Sequence, residues 1–255
     1  MIDKRDEYEK MYRLEQRLWW YRILHERVVQ AIRDRFGPRN DLRILDAGCG
    51  TGGLLQFLRA AGFTNLRGVD GSADAVAFSQ SRGLDVTLLN LNDLATYAPD
   101  QTYEVIVCND VLCYFDDAGI QRVLSEFQRR LAPGGILLSN NNAFAIFRGS
   151  HDEAVGSQRR FVRADFERLA PAARLRIRQA GYWPLSLSPL ILAIRRWQAF
   201  QLRVGLQSPD APASDVYFPG TFVNESLYRL VRAEQLLLRR APFGSSLFLA
   251  LERAG

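Results

Sequence analysis

The chain has 255 residues, is 47% hydrophobic and 24% charged, and carries a formal net charge of +5 from 33 basic and 28 acidic residues. These proportions exclude a disordered chain, a collagen-like repeat and a disulfide scaffold, and describe one ordinary soluble domain with at most a modest extension. The charge is uneven: Gln158 to Arg203 holds ten arginines against Asp165 and Glu167, so the remainder is net acidic. Such a tract suits nucleic acid, an anionic membrane or an acidic substrate, and equally the solvated faces of Arg-rich helices, the ordinary fate of charge runs.

Apolar residues between about Glu7 and Phe36 recur three or four apart, which predicts one long helix stopped by Gly37-Pro38. From Arg43 the pattern turns to short apolar runs, Arg43–Ala47, Leu66–Asp70, Asp85–Asn90, Tyr103–Cys108 and Gly135–Ser139, each read as a buried strand. Amphipathic stretches separate them at Gly53–Ala61, Ser72–Arg82 and Asp117–Leu131. Strand and helix in alternation predict a parallel sheet with helices on both faces.

After the fifth strand the rhythm breaks. His151 to Gly181 reads as loop then helix, Ser188–Leu206 as a helix, and Gln207–Gly220 as a loop rich in Pro, Ser and Asp. Asn224 is placed to N-cap a helix to Arg240, and Ser246–Glu252 closes as a strand. Cys49, Cys108 and Cys113 match no zinc spacing or disulfide framework and point to a reduced, cytoplasmic setting. The N-terminus is polar, without a signal-peptide run, and the most apolar later stretch, Trp183 to Ile194, is cut by Pro184 and Pro189, so no transmembrane segment is expected.

The first strand runs into Asp46-Ala-Gly48-Cys-Gly50-Thr-Gly52-Gly53. Glycines let the backbone turn tightly against a ligand, but Gly48, Gly50 and Gly53 also satisfy a dinucleotide spacing and do not choose between cofactors. Asp46 bears on that choice: a carboxylate beside the loop repels a pyrophosphate and attracts a ligand bearing ammonium and sulfonium groups, as S-adenosylmethionine does. Asp70 ends the second strand beside the same loop, where a carboxylate accepts from ribose hydroxyls; capping the helix after Ser72 is its alternative role.

Four segments in order, Ile44-Leu-Asp-Ala-Gly-Cys-Gly-Thr-Gly-Gly53, Gly68-Val-Asp-Gly-Ser72, Tyr103 to Phe115 and Arg130-Leu-Ala-Pro-Gly-Gly-Ile-Leu-Leu138, resemble the class I S-adenosylmethionine-dependent methyltransferases. The resemblance implies a doubly wound, Rossmann-like seven-stranded α/β sheet whose last strand is antiparallel. It implies a single domain: a helical cover over residues 1–40, a cofactor-binding core over 41–150, substrate-side helices and a lid over 151–243, and a closing strand over 244–255. Position by position, Asp46, Gly48 and Gly50 would hold the methionine end and Asp70 the ribose. Gly71, Asn90 and Leu91 would flank the adenine, and Asn109 would offer a backbone carbonyl to the ammonium. Asn90 departs from the usual Asp, although its amide oxygen still accepts a hydrogen bond.

A narrower similarity, to a bacterial subgroup acting beside sugar or secondary-metabolite modification, rests on Glu15-Gln-Arg-Leu-Trp-Trp-Tyr-Arg22, on His151 to Phe161 and on Glu234 with Pro242 to Ser246. Ser157 and Phe161 depart from the subgroup's His and Tyr.

In an open α/β sheet the ligand lies beyond the carboxyl ends of the strands, where Asp46, Asp70, Asn90, Asn109 and Asn140 fall. The acceptor is therefore expected against Tyr12, Trp20, Tyr21, Asp110, Asn142 and Arg160. Only one of the adjacent Trp19 and Trp20 is expected to reach it, since neighbours on a helix point about 100° apart. His151 is the first candidate base, with ordering of its own loop as the competing role; Tyr114 is the second, with packing as its alternative. Arg159 and Arg160 either clamp an anionic acceptor or pair internally with Asp152 or Glu153. The Trp183–Trp197 tract is expected to pack as lid or core rather than rest on a membrane. The expected activity is methyl transfer from S-adenosyl-L-methionine to a small molecule, by preference to an oxygen of a sugar or secondary metabolite. N- or C-methylation of a small or lipid-linked acceptor, RNA methylation and dinucleotide-dependent oxidoreduction follow in that order; no nucleic acid or metal is expected.

Overall fold

In the computed structural model, residues 5–203, 217–238 and 241–255 are described. Two helices open the chain, α1 (Arg5–Leu14) and α2 (Trp19–Phe36), where the apolar periodicity predicts one. The break has a physical cause: Glu15 turns inward, and Leu18 takes an extended conformation as the residue before α2. Asn224 closes the gap from far along the chain. Its Oδ1 accepts from the Trp19 N–H at 2.8 Å and its Nδ2 donates to the Arg17 carbonyl at 3.0 Å. The cap expected at Asn224 thus serves α2, not the helix that contains it.

The alternating core follows as β1 (Arg43–Ala47), α3 (Gly53–Ala60), β2 (Asn65–Asp70), α4 (Ala73–Ser81), β3 (Val86–Leu88), β4 (Tyr103–Val107), α5 (Asp117–Arg130) and β5 (Leu131–Asn142). Strand β3 is shorter than its apolar run because Asn90 leaves the sheet: its Oδ1 accepts from the Asn92 N–H and starts a 3-10 turn. Beyond β5 come α6 (Ser150–Ala154), α7 (Arg163–Leu169), β6 (Leu175–Trp183), α8 (Ser188–Arg203), α9 (Thr221–Leu237) and β7 (Ser246–Arg253). Residues 204–216 and 239–240, which include most of the expected 207–220 loop and the end of the helix expected to reach Arg240, lie outside the described residues.

The sheet has the order β3-β2-β1-β4-β5-β7-β6, parallel from β3 to β5, with β7 antiparallel to both of its neighbours. The helix expected before Gly181 is limited to α7, and strand β6 takes the rest of that stretch. Arg176 and Arg178 face outward in alternation with Leu175 and Ile177, but a register shift between Ile177 and Gln179 interrupts the pattern. That irregularity hides the period of two from the sequence.

Helices cover both faces. Ile23, Val28 and Ile32 of α2 and Leu54 and Leu58 of α3 pack on Ile44, Val105 and Leu138. On the other face Ile120, Leu124 and Phe127 of α5 pack with Leu45, Ile106 and Leu137. The Trp183–Trp197 tract divides: Trp183 and Leu187 are buried, whereas Leu190, Ile194 and Trp197 are exposed, so core packing describes only its first half. Among the described residues no helix is long and apolar enough to cross a membrane.

Candidate active site

The glycine loop between β1 and α3 is folded by backbone bonds and one carboxylate. The N–H groups of Gly48 and Cys49 donate to the Val69 carbonyl at 2.7 and 3.1 Å, and the Gly50 N–H donates to Asp70 Oδ2 at 2.8 Å. The other Asp70 oxygen accepts from the Ser72 N–H at 2.9 Å. Asp70 thus holds the loop and the start of α4 together, and each oxygen keeps accepting capacity for a ligand. Burial raises its pKa, against these backbone donors.

Two glycines are dictated by neighbours. Gly48 sits at φ +83°, and a Cβ there would fall 2.3 Å from Val111 Cγ2. A Cβ on Gly53 would fall 2.2 Å from the Glu15 carboxylate, so Gly53 makes room for Glu15 to reach the loop. Buried Glu15 accepts from Thr51 Oγ1 at 2.5 Å and pairs with Arg82. This residue stands in the tryptophan motif without an assigned role, and the structure supplies one: it joins the N-terminal helices to the glycine loop.

At the end of β1, Asp46 is buried, and among the described residues no donor reaches its carboxylate. Burial, with Asp70 and Glu15 nearby, pushes it up to about 8. A buried, unpaired carboxyl facing a cavity fits a ligand that brings a positive charge, because that charge supplies what the protein does not.

That cavity has a volume of about 710 Å³, and Asp46, Gly48, Gly50, Asp70, Gly71, Asn90, Leu91 and Asn109 all line it. The eight residues expected around the cofactor are therefore brought together. Asn109 Oδ1 accepts from the Asn140 N–H at 2.9 Å, so its side chain faces the sheet.

Most residues expected against the acceptor line the same cavity. Trp20, Tyr21, Asp110, Tyr114, Asn142 and Arg160 line it, and both Trp19 and Trp20 do, where only one was expected. Tyr12 does not belong to the wall. It packs on Phe78 with ring centroids 5.0 Å apart and under the Arg82 guanidinium, while Tyr8 and Met11, three apart on α1, face the cavity instead. Burial pushes the Tyr114 phenol up, which suits it to donate a hydrogen bond rather than to remove a proton.

Arg160 is already engaged. Its Nε and Nη2 donate to the two oxygens of fully buried Asp152, both at 2.9 Å, and Nη1 to the Ala143 carbonyl at 3.0 Å. The internal pair, not a free anion clamp, is what forms. Other members of the tract are similarly occupied: Arg159 and Arg168 with Asp117, Arg163 with Glu167, and Arg176 and Arg178 with Glu252. The backbone of His151 lies in α6, and its side chain is outside the described residues.

Two features of the wall go beyond the sequence reading, the first being how Asp110, expected against the acceptor, is held. Asp110 has φ +56°, and both of its carboxylate oxygens accept from Asn140 Nδ2, at 3.2 and 3.1 Å. Asn140 Oδ1 in turn accepts from the indole Nε1 of buried Trp183 at 2.9 Å. Burial pushes Asp110 up to about 7, opposed by Asn140 and Arg160. His25 is the other: buried between Tyr21 and Phe57, it lines the cavity with its Nδ1 unpartnered, and burial pushes it down to about 3, a neutral imidazole. Its spacing of four from Tyr21 is the sequence signal that puts both on one helix face.

A family profile described as Methyltransferase domain matches residues 20–180. The chain belongs to this methyltransferase family. Its sheet is that of the class I S-adenosylmethionine-dependent methyltransferases. The ubiquinone biosynthesis O-methyltransferase of Rickettsia prowazekii (strain Madrid E) is 26% identical over 136 residues, 47% of this chain and 52% of that protein. The chain spans about half the length of such curated relatives. Among solved structures, a putative sarcosine dimethylglycine methyltransferase from Galdieria sulphuraria is similar at a TM-score of 0.60 with 14% identity, over 92% of this chain and 86% of that one. The geranyl diphosphate C-methyltransferase from Streptomyces coelicolor A3(2), solved with Mg2+, geranyl diphosphate and S-adenosyl-L-homocysteine, is similar at 0.55 with 17% identity, over 91% and 80%. At these identities the similarity is one of fold.

Proposed function

We propose that this methyltransferase-family chain transfers the methyl group of S-adenosyl-L-methionine to a small-molecule acceptor, by preference to an oxygen of a sugar or secondary metabolite. The observation that carries the reading is the unpaired, buried carboxyl of Asp46 facing a cavity that continues past the glycine loop into a chamber walled by Trp19, Trp20 and Tyr21. The residues present fit the cofactor. Asp46 would hold its ammonium with the Asn109 carbonyl, Asp70 its ribose, and Gly71, Asn90 and Leu91 its adenine. When bound, it supplies a methyl group already activated by a sulfonium.

The protein's share is then to align, exclude water and take up a proton. Alignment of two reactants is worth roughly 7–11 kcal/mol. Asp110 is the group best placed to take a proton from an acceptor hydroxyl: its carboxylate faces the cavity, Asn140 fixes its orientation, and a value of about 7 matches the working pH. Tyr114 and His25 are left to hold the acceptor, one as donor and one as acceptor. His151, the base candidate from sequence, keeps a place on α6 just after the strand that carries Asn142. Three free cysteines, all buried, support a reducing, cytoplasmic setting.

Calorimetric titration tests the first step. The expected result is binding of S-adenosylmethionine and S-adenosylhomocysteine and none of a nicotinamide dinucleotide; the reverse pattern overturns the reading. A screen of hydroxylated acceptors for S-adenosylhomocysteine release tests the second.

A further inference from the structure

Helix α8 serves two surfaces at once. Leu190, Ile191 and Ile194 line the cavity, and further along the helix Trp197, seven residues after Leu190 and so on the same side, and Phe200 stand out into solvent. Trp197 is 58% exposed and Phe200 50%, and their rings stack with centroids 5.7 Å apart. Across the mouth, Tyr217 and Val223 also line the cavity while remaining exposed, and Phe222 beside them is 85% exposed. The mouth is therefore rimmed by large apolar side chains continuous with the apolar lining inside. Patches of this kind mark interaction sites, because a soluble surface seldom leaves so much contiguous apolar area in water.

Charge selects the occupant. Helix α8 contains Arg195, Arg196 and Arg203 and no acidic residue, and Arg196 is exposed beside Trp197. Tryptophan and phenylalanine interleaved with arginine along one helix is the composition of a segment lying in the headgroup region of an anionic bilayer: aromatic rings sit at the interface and guanidinium groups meet lipid phosphates. Ion pairs tie down Arg159, Arg160, Arg163, Arg168, Arg176 and Arg178 and give that earlier part of the basic tract a structural role. Arg196 enters none of them.

We propose that the rim formed by α8 and the start of α9 docks on an anionic lipid surface, and that the acceptor, on the reading of the chain as a methyltransferase, is an amphipathic molecule whose apolar part enters the cavity from that surface. Docking turns the exposed apolar mouth toward lipid and leaves the glycine loop at the far end of the cavity. An acceptor anchored in the bilayer then presents its polar end to Asp110 without leaving an apolar environment along the way.

Flotation of the full chain with vesicles of phosphatidylcholine containing about one third phosphatidylglycerol, and with phosphatidylcholine alone, tests the docking. The chain is expected to float with the anionic vesicles at low salt, less at high salt, and not with neutral vesicles. The double variant Trp197→Glu, Phe200→Glu is expected to lose binding by about tenfold or more, and Arg196→Glu to lose it in the same direction; both are expected to bind S-adenosylmethionine as the parent chain does. No flotation with anionic vesicles, or equal flotation of the double variant, overturns the proposal. Light scattering that shows a dimer dissociated by the double variant assigns the face to a second copy and overturns it as well. Failure of S-adenosylmethionine binding with flotation intact overturns the methyltransferase reading and leaves the docking face standing.

Discussion

Asn140 donates its side-chain amide to both carboxylate oxygens of Asp110, and Trp183 at the end of β6 holds the other side of that amide. A carboxylate inside the cavity is thus oriented by two strands, through a bond pattern that fixes which way the Asn140 amide points.

Asp110→Asn is expected to lower kcat/KM toward a hydroxyl acceptor by roughly 10²–10⁴-fold, with little change in S-adenosylmethionine affinity. In the parent chain the rate should rise with pH through about 7, as Asp110 loses its proton, and in the variant that rise should disappear. Initial rates of S-adenosylhomocysteine formation between pH 5.5 and 8.5 measure both, in a range spanning the value near 7. An unchanged profile removes Asp110 from the proton path.

On the proposed function, Asp46 couples cofactor binding to stability. Its folded-state value of about 8 lies above that of an unfolded aspartate, so the folded chain binds the extra proton. Its contribution is fully present below the unfolded value and is lost as pH rises through about 8. Asp46→Asn should therefore raise the stability of the cofactor-free chain above pH 8, by on the order of 1 kcal/mol or about 2–4 °C in Tm. It should also weaken S-adenosylmethionine binding about 10- to 100-fold, the worth of a charged hydrogen bond. Thermal scans across pH and calorimetry test the two halves separately.

The Asp152–Arg160 pair is closed to solvent, with side chains 0% and 4% exposed. Removing one partner strands the other, so Asp152→Asn is expected to cost about 3–5 kcal/mol in denaturant unfolding. The double change Asp152→Asn, Arg160→Met should recover much of that loss. Equal destabilisation by single and double variants would contradict a coupled pair.

Asn224→Ala removes the donor and acceptor that finish the N-terminus of α2 and hold α9 to it. The expected cost is about 1 kcal/mol, about 2–4 °C in Tm, with hydrogen exchange faster in the first turn of α2. A protected first turn in the variant would show that α2 caps itself by other means.

The residues proposed to hold the cofactor share one cavity, and their convergence was legible because the segments that carry them are local. A strand, a glycine turn and a helix follow one another within Arg43 to Ala60, and their backbone bonds lie among near neighbours or one strand away. The acceptor half was less so. Tyr12 looked equivalent to Tyr8 and Met11 in sequence, and only the rotation of α1 against α4 decides which of them faces the cavity. His25 lies within a helix and carries no motif, yet that helix forms the cavity wall. The sequence leaves Arg160 between an anionic acceptor and an internal pair, and the fold decides for Asp152, eight residues earlier.

Composition, periodicity and the spacing of Asp46, the glycines and Asp70 determined the α/β class, the core strands and the edge of the sheet where the candidate site lies, since each rests on contacts near in the chain or on the strand-end rule for open sheets. Tertiary structure decided the break between α1 and α2, strand β6 with its register shift, the Asp110–Asn140–Trp183 chain and which part of the Trp183–Trp197 tract meets solvent. Those features depend on partners tens to hundreds of residues away, as Asn224 is from Trp19, and no local pattern records which distant side chain arrives.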